Sequence, residues 1–144
     1  MTTIISEKFA ELHYDQQTPC FIIEWKGFLK LELVQPFCEN VVTALREKRK
    51  ENLNLTGFIG NTLDLKVVNE DIQNYWNQEW NSAMYKTGGR FLALIVPTSV
   101  FGKFSVDKYV DTTQKKTKEI QIRFFDDINN AKEWLTACQN SNQA

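Results

Sequence analysis

Phe91 to Val96 reads FLALIV, an unbroken apolar run with Gly88-Gly89 shortly before it and Pro97 directly after. A strand with one face in water alternates apolar and polar residues, because successive side chains point to opposite faces. A run that is apolar at every position, bounded by Gly and Pro, is expected of a central parallel strand covered on both sides. Parallel neighbours need crossover connections, so the rest of the chain must supply helices for both faces of a sheet.

The remaining patterns supply them. Phe9 to Tyr14 and Cys20 to Trp25 read as strands joined by Asp15-Gln16-Gln17-Thr18-Pro19, a link of hairpin length, with Gly27 ending the second. Val34, Phe37, Cys38, Val41 and Leu45 recur at helical spacing, and Pro36 is expected in that helix's first turn, where a missing N–H costs nothing. Leu53 to Ile59 reads as a short buried strand closed by Gly60-Asn61-Thr62. Asn69 is an N-cap, followed by Glu70 and Asp71 in the first turn. The buried face of that helix is Ile72, Tyr75, Trp76, Trp80, Ala83 and Met84, and Gly88-Gly89 stops it. Ser105 caps a short helix to about Lys116, Ile120 to Phe125 is the last strand, and Asp126 or Asp127 caps a final helix. Its inner face carries Ile128, Ala131, Trp134, Leu135 and Cys138, and Gln139 to Ala144 is expected to be a frayed polar tail. The order is β-β-α-β-α-β-α-β-α, an α/β fold with a mostly parallel sheet and covering helices. One domain accounts for residues 1–144, with its core at about 9–138.

Composition excludes several function classes. The 144 residues carry 17 basic and 18 acidic side chains, without the basic excess that phosphate neutralisation demands, so no nucleic-acid partner is expected. The basic run Arg46 to Lys50 reads as a solvated helix end complementing the helix dipole. Three widely spaced cysteines, no CxxC pair and one histidine argue against a zinc site. Neither a signal peptide nor a membrane span is expected, and the thiols, with Cys38 and Cys138 on buried faces, are expected to stay reduced in the cytoplasm.

Four segments carry a resemblance: ELHYDQQTPCFIIEWKGF (11–28), NEDIQNYWNQEW (69–80), VPTSVFGKFSVDKYVD (96–111) and IRFFDDINNAKEWL (122–135). Over about residues 9 to 136 the chain resembles the SpoIIAA-like proteins of the STAS superfamily, a bacterial group. The resemblance implies a compact sheet wound with helices, a fold shared with CRAL-TRIO lipid-binding domains, and implies no settled activity. Anti-sigma antagonists of that superfamily open the helix after the third strand with a phosphorylatable Ser. Here that helix opens Val68-Asn69-Glu70-Asp71, with no hydroxyl to accept a phosphoryl group, so no phosphorylation site is expected.

Catalytic candidates are few. His13 is the sole histidine and reads as a surface or edge-packed strand residue, since no nucleophile can be named beside it. Gly102-Lys103 is no phosphate loop, because Pro97 stands where the motif needs Gly and Phe104 where it needs Ser or Thr. Ligands of open α/β sheets gather beyond the carboxyl ends of the strands. The candidate binding residues are therefore Trp25, Phe28, Asn61, Thr62, Ser99, Phe101 and Lys103, for which the alternative is plain caps and turns. Trp76 and Trp80, one helical turn apart, read first as core and sheet packing and otherwise as an aromatic wall. The expectation is a non-catalytic regulatory or binding module with no cofactor. Its partner would be a protein or a small apolar or anionic ligand, and a homodimer is compatible. The alternatives are a carrier of a small apolar or lipid-like molecule and, last, a hydrolase or transferase.

Overall fold

The computed structural model describes residues 1–66, 68–95 and 120–141. The third helix expected at Ser105, together with Val96, Pro97, Ser99, Phe101 and Lys103, lies outside the described residues.

One six-stranded sheet runs in chain order. Its strands are β1 (Thr2–Ser6), β2 (Ala10–Asp15), β3 (Cys20–Gly27), β4 (Gly57–Leu65), β5 (Phe91–Ile95) and β6 (Gln121–Phe125). β1, β2 and β3 pair antiparallel, and β3, β4, β5 and β6 pair parallel. β5 is an interior strand as its sequence demands, and none of Phe91 to Ile95 is more than 5% exposed. Alternation along each strand then sorts side chains into two cores. Leu12, Phe21, Ile23, Phe58, Leu92 and Leu94 face α1 (Leu31–Glu51) and the helical run from Glu70 to Thr87. Cys20, Ile22, Ile59, Phe91, Ala93 and Ile95 face Ala131 and Leu135 of α4 (Ile128–Ser141). Burial of one such Leu or Phe side chain contributes roughly 1.5–3 kcal/mol, so two filled cores hold the three layers together.

Several local expectations hold. Lys48, Arg49 and Lys50 occupy the last turn of α1, although Arg49 is part-buried and donates to the Leu53 and Leu55 carbonyls rather than being simply solvated. Gly88, at φ 121°, ends the second helical run, and its N–H bonds the Met84 carbonyl at 3.1 Å. Asp127 caps α4, its Oδ1 accepting from Asn129 N–H at 2.6 Å. Others are corrected. A strand at Thr2–Ser6 precedes the expected hairpin and makes β2 an interior strand. α1 starts at Leu31, because Leu29 and Leu31 pack on the core one turn before Val34, and Pro36 therefore lies inside the helix rather than in its first turn. Leu53 is exposed, and the fourth strand runs on through Gly60, Asn61 and Thr62 to Leu65. Gln139 belongs to α4 and is buried, not frayed, because its side-chain amide satisfies backbone groups of two other segments. The three cysteines are free, with Cys20 and Cys38 buried and Cys138 half-buried at the outer edge of its helix face. No helix among the described residues is long and apolar enough to cross a membrane.

Candidate functional site

The second helical run is not one α-helix. α2 (Glu70–Tyr75) passes into a π-helix at Trp76–Trp80 and then into α3 (Asn81–Thr87). The Asn81 N–H reaches the carbonyl of Trp76, five residues back, which widens the turn. Such turns are rare and recur at functional sites. Trp76 and Trp80 open and close this turn on the same side of the helix, with ring centroids 6.3 Å apart. Trp25 of β3 completes the group, 5.1 Å from Trp76 and 6.2 Å from Trp80. Phe58 meets Trp80 edge-on at 6.1 Å, and Phe37 of α1 meets Trp25 at 5.4 Å.

Trp76 and Trp80 roof a cavity over β3, β4 and β5 that Trp25 of β3 and Phe58 of β4 also line. Its floor is Ile23, Gly60, Thr62, Leu92 and Leu94, and Val68 stands at one side. The unfilled space amounts to about 440 Å³, of which only about 20 Å³ admits the centre of a water molecule. A single water needs about 10–15 Å³ measured that way, so the walls nearly meet and anything larger must part them. Gly60 shapes the floor. A Cβ there would stand 2.7 Å from Leu94 Cδ2, so the missing side chain is what lets Leu94 lie flat against β4.

The polar content is small. Thr62 Oγ1 donates to the Ile95 carbonyl at 2.5 Å and so is already engaged. Burial pushes the Cys38 thiol up, against a smaller opposing contact with the Trp76 indole, and burial likewise raises the Tyr75 hydroxyl. Neither is poised to ionise near neutral pH. The Trp80 indole N–H is buried without a hydrogen-bond partner among the described residues. Buried Trp N–H groups usually find an acceptor, so Trp80, which lines both this cavity and a groove beside Cys38, Tyr75 and Glu79, carries an unmet donor. Among the described lining residues no nucleophile stands beside a base.

Of the residues expected from sequence, Trp25, Thr62, Trp76 and Trp80 come together here. Asn61 does not. It lies one strand position from Thr62, on the opposite face of the sheet, and its Oδ1 accepts from Leu63 N–H at 3.2 Å. Phe28 is 74% exposed beyond β3, away from the cavity lining. Ser99, Phe101 and Lys103 are among the residues not described. Sequence reading missed Gly60 and Leu94, whose close approach follows from the β4–β5 register alone. His13 is not a surface residue. It is 7% exposed, and its Nδ1 lies 2.8 Å from Thr3 Oγ1 across the β1–β2 pair.

No protein-family model matches the chain, and no curated protein matches it. Among solved structures it is similar to an uncharacterised protein of the DUF3478 family with a SpoIIAA-like fold from Shewanella loihica PV-4. The likeness covers 92% of this chain and 99% of that one, with a TM-score of 0.54 and 13% sequence identity. The fold is thus SpoIIAA-like, and at that identity the likeness extends to the fold alone.

Proposed function

We propose that the protein is a non-catalytic module that binds a small, mostly apolar molecule bearing one hydrogen-bond acceptor, in the cavity between the sheet and the π-helix. The observation that carries this reading is the mostly apolar cavity lined by Trp25, Trp76 and Trp80, whose Trp80 indole also carries an N–H with no partner among the described residues. Apolar area would supply most of the affinity, at about 25 cal/mol per Å² removed from water. The acceptor would supply orientation. Because the walls nearly meet, entry requires the Glu70–Thr87 run to move away from the sheet, and the π-turn supplies an irregular point in that run. The apolar character of the described lining, which offers no nucleophile–base pair, favours binding over hydrolysis or group transfer. We read the compartment as cytoplasmic, supported by three thiols that remain unpaired.

Acetophenone and ethylbenzene test the reading, since they share a shape and differ in one acceptor. Followed by the indole N–H signals, acetophenone is expected to saturate with the largest shift at Trp80. It should bind roughly twofold to tenfold tighter than ethylbenzene, the worth of one hydrogen bond. Trp80→Phe should erase that preference. Equal affinity for the two ligands, or shifts confined to Trp134, would refute the site.

A further inference from the structure

The antiparallel pairing of β2 with β3 sets Glu11 opposite Glu24, with His13 one step along the same face. Two carboxylates directly across a strand pair repel each other and call for a cation. Glu11 has one, since Lys26 Nζ lies 2.6 Å from its Oε2, and this hydrogen bond is the main reason its carboxyl is held below the usual carboxylate range. Among the described residues, no lysine or arginine lies within ion-pair distance of Glu24. Its Oε1 lies 3.3 Å from His13 Nε2, yet that nitrogen makes no hydrogen bond among the described residues. The imidazole is more than nine-tenths buried and is held from behind by Thr3 on Nδ1. If Nδ1–H donates to Thr3, Nε2 turns a bare lone pair toward a carboxylate oxygen.

That arrangement is what a metal ion resolves. We infer that Glu11, His13 and Glu24 form a binding site for a divalent first-row transition cation such as zinc. One ligand atom from each of the three lies within 4.8 Å of the other two. A tetrahedral ion with ligands at about 2.0–2.2 Å needs them about 3.4 Å apart, a closure that rotation of two part-exposed Glu side chains can make. A neutral imidazole with two carboxylates suits zinc better than a hard ion such as calcium, which takes oxygen ligands only. A partner on the far ring nitrogen is the usual second support of a ligating histidine, and Thr3 stands in that position. Three protein ligands leave a fourth position for water or a ligand group. Lys26 is the built-in competitor, and its part-exposed side chain can leave Glu11 toward solvent. The site is on the opposite face of the sheet from the tryptophan cavity, so the two proposals stand or fall separately.

Because the chain has a single histidine, its imidazole nitrogen signals report this site without assignment ambiguity. Titration of the full chain with zinc chloride should shift the Nε2 signal and saturate at one ion per chain. Glu24→Gln should weaken binding by at least about tenfold, the scale on which even outer partners of a metal site act. Lys26→Ala should tighten it, which a merely structural ion pair would not do. Cys138→Ser should leave it unchanged and so exclude capture by the half-buried thiol. His13→Gln should abolish it, and Glu24→Gln covers the case in which that variant does not fold. An unmoved His13 signal, or one-to-one binding that survives Glu24→Gln at full strength, would overturn the proposal.

Discussion

Gln139 Oε1 accepts a hydrogen bond from the Gly57 N–H at 2.7 Å, across 82 residues of sequence. The same oxygen takes the Thr56 N–H at 2.9 Å, and the amide nitrogen donates to the Pro19 carbonyl at 2.9 Å. One side chain of α4 thus ties the start of β4 to the β2–β3 turn. Removing it leaves a buried backbone donor unpaired, which costs more than the bond was worth. Gln139→Leu is expected to lower unfolding free energy by about 2–3 kcal/mol, read from urea denaturation. Asn140→Ala, on the exposed side of the same helix, should stay within about 0.5 kcal/mol.

Such a residue shows where the sequence stops being legible. FLALIV announces its position because burial on two faces needs no partner to be named. The stripes of α1 and α4 do the same, since a helix writes its buried face into its own periodicity. Gln139 reads as a polar tail residue because its partners lie in other segments. β1 escapes because an edge strand with Thr2, Thr3 and Ser6 is largely solvated and shows no apolar alternation. Asn61 reads together with Thr62 in the sequence for a related reason. Gly60 reads as a turn signal, yet here it admits Leu94, the strand continues, and strand geometry sends Asn61 and Thr62 to opposite faces. Of the cavity-lining residues, the three tryptophans and Thr62 are legible in the sequence as a group. The Glu11, His13 and Glu24 cluster is not, because only the β2–β3 register creates it.

Acid should loosen the contact between the β2–β3 turn and α4. Burial raises the Asp15 carboxyl, but Lys132 at 2.9 Å, with Gln17 N–H and Thr18 Oγ1, outweighs burial and holds it below its ordinary value. A folded-state pKa below the unfolded one gives stability that is complete above the unfolded value, about 3.9, and is lost as pH falls through the folded one. Stability should therefore drop below about pH 4, and Asp15→Asn should flatten that part of the curve. Urea midpoints measured across the acid range for both proteins decide it. Parallel curves would show that Asp15 contributes nothing there.

Thiol chemistry should follow burial. Burial pushes the Cys20 thiol up to about 12, and it raises Cys38 as well. Cys138 is raised mainly by burial too, but Arg123 opposes this and the side chain is half-buried. Since the thiolate is the reactive form, iodoacetamide at neutral pH should modify Cys138 first. Cys20 and Cys38 should react only after urea is added. Peptide mass spectrometry reads the order directly, and early alkylation of Cys38 would mean that the helices over the tryptophan cavity open readily.

The floor of that cavity gives the sharpest coupled test. Gly60→Ala forces a Cβ to within 2.7 Å of Leu94 Cδ2, so Leu94 must turn away and the core is overpacked. The expected cost is about 1–3 kcal/mol. Leu94→Ala instead deletes buried methyls and should cost about 2–5 kcal/mol. Each change relieves the problem the other creates, so the double variant should be more stable than the sum of the two by at least about 0.5 kcal/mol. Ligand binding should move in the opposite direction to stability. Leu94→Ala enlarges a space whose walls now nearly meet, and acetophenone should bind more tightly for want of having to part them. If Leu94→Ala destabilises the fold by the expected amount and acetophenone affinity does not rise, the space beneath Trp76 and Trp80 is core packing and the ligand site lies elsewhere.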